Sequence, residues 1–186
     1  MTQSHIILVR HGEPSASWSE HPDPGLSKRG LNQAEKTSKN FSFDFESYQL
    51  FSSPKKRAIQ TMECIAKEIN QSFEIDDRFI EIPSKGISQN IKHDWLIEIF
   101  KTPIKDLPPQ ISSWYNNLIE WLYNFEDQAI ITTHFMVINA LVSHLKNNNM
   151  IAYFNPGFAS RTEIWMQNGI LTKLILGKAK KTVLNF

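Results

Sequence analysis

Residues 6–9 are Ile-Ile-Leu-Val, four consecutive apolar residues closed by Arg10, His11 and Gly12. A strand with one wet face alternates apolar and polar side chains. An unbroken run reads instead as a strand buried on both faces, which requires helices on both sides of its sheet. Ala129–Thr133 (AIITT) reads as another buried strand, and Tyr48–Phe51 and Phe73–Ile75 read as further strands. Helical patterns fall between them. Alternation of buried strands with helices predicts an α/β domain with a mainly parallel sheet, helices on both faces, in three layers.

The helices carry their own signals. Residues 13–26 contain Pro14, Pro22, Pro24 and Gly25 and read as an irregular loop. Ser27 is placed to cap a helix running to about Asn40, with Gly30 inside it as a position of close packing. Ser53 is placed to cap the next helix, with Pro54 in its first turn and Ile59, Met62, Ile65, Ala66 and Ile69 as its apolar stripe. Residues 83–109 are broken by Pro83, Gly86, Pro103, Pro108 and Pro109; a helix is expected over Trp95–Phe100, and the segment falls where a lid could sit. Helices follow over Gln110–Asn124 and 135–146. A hairpin is expected over 162–176, turning at Asn168-Gly169. With 186 residues, 41% of them hydrophobic, and no linker or repeat, the whole chain 1–186 reads as one domain.

In open α/β sheets ligands gather beyond the carboxyl ends of the strands. Arg10, His11 and Gly12 follow the first strand, Arg57 the second and His134 the fourth, while Glu81 lies shortly after the third. Gathered in one crevice, these residues suit phosphoryl transfer. Two guanidiniums supply planar forks of donors for a phosphoryl group. A neutral imidazole can attack phosphorus, and a second can hydrogen-bond the equatorial oxygens. A glutamic acid can protonate the leaving alkoxide and then act as base toward water. Gly12 would let the backbone turn sharply and bring the phosphoryl group close.

Arg-His-Gly-Glu at 10–13, L-S-x-x-G-x-x-Q-A at 26–34 and S-S-P-x-x-R-A-x-Q-T at 52–61 resemble the histidine phosphatase superfamily, which contains the cofactor-dependent phosphoglycerate mutases. Glu81 in RFIEIP and His134 in TTHFMVINAL match its remaining motifs in order. The resemblance implies a phosphoglycerate mutase-like fold. It makes His11 the phosphorylated nucleophile, Glu81 the proton donor, and Arg10, Arg57 and His134 the phosphate pocket, with no metal and no cofactor. It also implies a backbone carbonyl near Gly12 that holds the other ring nitrogen of His11, fixing the tautomer. Ser17 is the nearest candidate for a polar phosphate contact after the first motif. Two departures stand out. Many members carry two glycines after the second histidine, where this chain has Phe135 and Met136. The mutases carry an E-R-H-Y-G-type segment, where Glu81 is followed by Ile82-Pro83-Ser84. The second departure favours hydrolysis of a phosphomonoester, either a phosphorylated small molecule or a phosphoprotein. The first keeps open a phosphate-binding interaction domain that turns over poorly, and mutase-type transfer is a weaker alternative.

Composition narrows the rest. A net charge of +1 and the absence of a basic stripe give no reason to expect nucleic acid as a partner. Lys178, Lys180 and Lys181 read as a solvated tail. Cys64 is the single cysteine, which excludes an intrachain disulfide, suits a reducing compartment and reads as a small core residue. No apolar run is long enough to span a membrane, and the first run is too short for a signal peptide, so a cytoplasmic location is expected. His5, His21, His93 and His144 lack metal-ligand spacing. Asp76 and Asp77 read as turn or capping residues, and the aromatics of 95–125 as core. The sequence specifies no oligomeric state.

Overall fold

The computed structural model describes residues 3–17, 21–41, 45–84 and 86–179. Six strands form one sheet: β1 (Gln3–Arg10), β2 (Gln49–Ser52), β3 (Glu74–Ile75), β4 (Gln128–Thr133), β5 (Arg161–Gln167) and β6 (Ile170–Ile175), in the order β3-β2-β4-β1-β5-β6. The four strands from β3 to β1 run parallel; β5 and β6 run antiparallel to their neighbours. Helices α1 (Lys28–Ser38) and α2 (Lys56–Glu68) contact each other on one side. Helices α3 (Gln89–Lys101), α4 (Pro109–Asn124) and α5 (Phe135–Leu145) contribute to the core on the other.

The doubly buried strands explain the three layers. On β1, Ile6 and Leu8 join the core shared with α3, α4 and α5, whereas Ile7 and Val9 join the core shared with α2. On β4, Ala129 and Ile131 face the first core and Ile130 the second. Period-2 alternation thus sends successive side chains of one apolar run into two separate cores. Segment 83–109 contributes to the first core through Leu96, Ile99 and Leu107, and Phe100 packs on Phe135 with ring centroids 5.9 Å apart.

Most elements fall where the sequence places them, and the differences have local causes. Ser27 caps α1, its side chain accepting the N–H of Gly30. The hairpin turns at Asn168 and Gly169 with φ of 51° and 74°, the left-handed pair that a two-residue turn requires. Asp76 accepts the N–H of Arg78, as a turn residue does. Helix α3 extends well before Trp95, and β3 is a two-residue exposed strand. Ser53 does not cap α2. The helix starts at Lys56 with Lys55 at the N-cap and no side-chain cap, because the Ser53 N–H continues the β2 pairing to Thr132 O. Cys64 is only half-buried: one residue before Ile65 it is rotated about 100° off the apolar stripe. Tyr123 is exposed rather than core. Of the C-terminal lysines, Lys178 is exposed, and Lys180 and Lys181 lie outside the described residues. Among the described residues no helix is long and apolar enough to cross a membrane.

Gly12 and Gly30 meet where β1 hands over to the loop. A Cβ on Gly12 would lie 2.4 Å from Gly30 O, and one on Gly30 would lie 2.0 Å from Glu13 O. Neither glycine has positive φ. Gly12 is therefore needed for the close approach of α1 to the end of β1, not for the sharp turn expected of it.

Candidate active site

The sheet register brings the site together. Arg10 pairs with Thr133 across β1 and β4, and Ser52 pairs with Thr132 across β2 and β4. The next residues are His11, His134 and Ser53. The His11 N–H donates to Thr133 O at 2.9 Å and the Ser53 N–H to Thr132 O at 3.0 Å, so three adjacent strands end together, β2 one residue short of β1 and β4. Arg57 arrives from the first turn of α2.

Arg57 is the hub. Its Nε–H donates to His11 Nε2 at 3.1 Å, and its Nη2 contacts His134 Nδ1 at 3.2 Å. A guanidinium has donors only, so each of these ring nitrogens presents a lone pair. The tautomers follow. His11 carries its proton on Nδ1 and donates it to Gly12 O at 2.7 Å. His134 carries its proton on Nε2 and donates it to Ser53 Oγ at 2.7 Å. The carbonyl expected to anchor His11 is thus that of Gly12 itself. The two imidazoles lie 5.1 Å apart, centroid to centroid, and both are buried with Arg57. Burial, then the charges of Arg57 and other nearby groups, Arg10 among them, hold both imidazoles well below the ordinary histidine pKa, hence neutral.

Arg10 lies on the other side of His11. Its guanidinium carbon sits 4.2 Å over the Phe158 ring and 5.4 Å from that of Phe135. Nη1 donates to Pro156 O at 2.7 Å, while Nε is buried with no hydrogen-bond partner among the described residues. Burial pushes its pKa down to about 10, partly offset by Glu81, so the charge persists at neutral pH. Glu81 is buried, and its Oε1 accepts the N–H groups of Ile82 and Met136, both at 3.1 Å. Burial raises the carboxyl pKa against the opposing pull of Arg57, the two N–H donors and Arg10.

Six of the seven sequence-predicted residues, Arg10, His11, Gly12, Arg57, Glu81 and His134, share this constellation. Gly12 shares it through its carbonyl; its N–H donates to Thr61 Oγ1 at 3.1 Å. Ser17 lies further along the loop after β1, half-buried, its carbonyl accepting the N–H of His21. The N–H of Met136, one of the two residues standing where many family members carry glycine, donates to Glu81. Sequence reasoning missed four participants. Ser53 carries a capping signal that hides its bond to His134. Pro156 and Phe158 sit in a loop whose only mark is a Pro-Gly turn. Asp23 lies 3.8 Å from Arg57 Nη1 and has no signal beyond a proline-rich loop.

Neutral buried histidines tie stability to pH. Below the ordinary histidine pKa the unfolded chain protonates both His11 and His134 while the folded chain does not, so stability falls as pH falls. Each contributes a slope of up to about 1.4 kcal/mol per pH unit. Glu81 opposes one of them wherever the folded state keeps its proton and the unfolded state has lost it. Urea unfolding at pH 7.5, 6.5 and 5.5 should show falling stability, and His134→Asn should flatten the slope by up to about 1.4 kcal/mol per unit. An unchanged slope would mean that His134 titrates normally in the folded chain.

Comparison with known proteins places this geometry. Residues 6–171 match the model of the histidine phosphatase superfamily (branch 1). YhfR from Bacillus stearothermophilus superimposes with a TM-score of 0.71 at 19% identity, over 90% of this chain and 94% of that one. A phosphoserine phosphatase mutant from Entamoeba histolytica, in complex with phosphoserine, gives 0.68 at 20% identity, over 92% and 96%. A phosphoglycerate mutase from Bacillus anthracis gives 0.73 at 16% identity, over 96% and 93%. These likenesses establish the phosphoglycerate mutase-like fold. No curated protein sequence matches the chain.

Proposed function

The chain belongs to the histidine phosphatase superfamily, and on that premise we propose that it hydrolyses a phosphomonoester through a phosphohistidine on His11, without a metal ion. The observation that carries this reading is the His11 ring, which is buried, neutral, anchored through Nδ1–H and turned so that the Nε2 lone pair faces Arg57. A phosphoryl group entering between the two arginines draws the Arg57 N–H groups onto its oxygens and uncovers that lone pair. The unpartnered Nε of Arg10 is a second donor for it.

Nε2 of His11 then bonds to phosphorus as the bond to the leaving oxygen breaks. Glu81 donates its proton to that oxygen; the raised pKa keeps the proton available, and the oxygen not engaged by Ile82 and Met136 carries it. In the second half, water attacks phosphorus, Glu81 takes its proton, the N–P bond breaks and inorganic phosphate leaves. Ser53 Oγ can donate as well as accept, so His134 can also adopt the Nδ1–H form that donates to a phosphoryl oxygen.

Phe135 and Met136 fit this reading better than that of a poorly active binding domain. Met136 supplies an N–H to Glu81, and Phe135 packs on Arg10. Hydrolysis is favoured over mutase transfer by Ile82-Pro83-Ser84 after Glu81. The substrate is a phosphorylated small molecule or a phosphoprotein, and phosphoserine, held by one of the similar structures, heads the compounds to screen. Incubation with a labelled phosphomonoester in the presence of a chelator, quenched in alkali, should leave acid-labile label on the peptide containing His11. Label elsewhere, or turnover with none, would overturn the mechanism.

A further inference from the structure

Each nitrogen of the Arg57 guanidinium faces a different protein group: Nε faces His11, Nη2 faces His134 and Nη1 faces Asp23 at 3.8 Å. Asp23 differs from the other two in charge and position. It belongs to the loop between β1 and α1, and its side chain is 29% exposed against 3% for Arg57. Its carboxylate also accepts the backbone N–H of Lys56, the first residue of α2, at 3.2 and 3.4 Å through its two oxygens. One carboxylate therefore sits on both features that would draw a phosphate, a guanidinium and a helix N-terminus. The described residues around it are tied down: the Asp23 N–H donates to His21 Nδ1, the Ser15 N–H to Gly25 O and the Leu26 N–H to Gln60 Oε1.

We propose that Asp23 is an electrostatic gate on this pocket, an internal anion that faces the outer Nη1 of Arg57 and competes with the incoming phosphoryl group. The proposal rests on the phosphate-pocket reading above. Asp23 raises the threshold for anion entry: a ligand must displace, or bind beside, a carboxylate that costs nothing to bring in. The gate lowers the affinity of the pocket for anions in general, and it assists departure of the product phosphate. Asp23 is a positioning residue, because it acts through Arg57 and not on the reacting atoms.

Asp23→Asn tests this cleanly, since the amide oxygen still accepts the Lys56 N–H and only the charge is lost. Inorganic phosphate binding is measured by calorimetry on both proteins, with KM and kcat for p-nitrophenyl phosphate. The pair is part-exposed and screened, so the expected gain is modest: phosphate binds about three- to tenfold tighter in the variant, and KM falls by a similar factor with kcat not rising. Phosphate affinity that is unchanged or weaker in Asp23→Asn overturns the gate while leaving the pocket intact. A wild-type chain that binds no phosphate overturns the pocket itself, and the gate with it.

Discussion

Replacing His11 with alanine is expected to lower kcat/KM toward any phosphomonoester by roughly 10⁴- to 10⁶-fold, the scale on which removing a nucleophile from an interlocked site acts. That corresponds to about 5–8 kcal/mol of transition-state stabilisation. The loss is large because no other group is placed to take over. His134 is the second imidazole of the pocket, but it is anchored by the Ser53 hydroxyl, and its part in the reaction is to hydrogen-bond a phosphoryl oxygen. Water entering the space left by the ring can donate to the Gly12 carbonyl, but it is a far weaker nucleophile than the imidazole. Phosphate binding should survive, because Arg10 and Arg57 remain, and the loss of an imidazole lone pair facing Arg57 Nε frees that donor for an anion. The measurement is paired: turnover by phosphate release, and affinity for inorganic phosphate by calorimetry. Turnover retained to within tenfold would mean that His11 is not the nucleophile.

Replacing Glu81 with glutamine should separate the two halves of the reaction. The amide oxygen can still accept the N–H groups of Ile82 and Met136, so the loop geometry is kept and only the transferable proton is lost. For an alkyl phosphate, whose alkoxide must be protonated as it leaves, kcat/KM should fall by about 10²- to 10⁴-fold. For p-nitrophenyl phosphate, whose leaving anion is stable, the fall should stay within about tenfold, because kcat/KM reports only the step up to phosphorylation of His11. The hydrolysis half still needs a base, so p-nitrophenol should appear in a burst followed by slow turnover. In the wild type the carboxyl must be protonated to act as acid. Its pKa is raised by burial, so kcat/KM for the alkyl phosphate should decline as pH rises through that raised value, and glutamine should abolish the decline. Equal losses for both leaving groups would remove Glu81 from the proton-donor role.

Both predictions depend on features of unequal visibility in the sequence. The unbroken apolar run Ile6–Val9 and the stretch Ala129–Thr133 declare strands covered on both sides, and the motifs after them declare which side chains stand at their ends. Residues near in sequence act through local rules, such as period, cap and turn, so Ser27, the Asn168-Gly169 turn and the polar residues after each strand were legible. The order β3-β2-β4-β1-β5-β6, the register that sets Arg10 beside Thr133 and Ser52 beside Thr132, and the choice of Arg57 as the group joining both imidazoles are set by packing between segments distant in the chain. The same distance hides Ser53 behind a false capping signal, and Asp23 and Phe158 behind loops with no pattern at all. A chain's own alternation of side chains determines which residues can leave water. Only the assembled sheet decides which of them meet, because a hydrogen bond or an ion pair across the fold exists once the backbone has brought its ends within 3–4 Å.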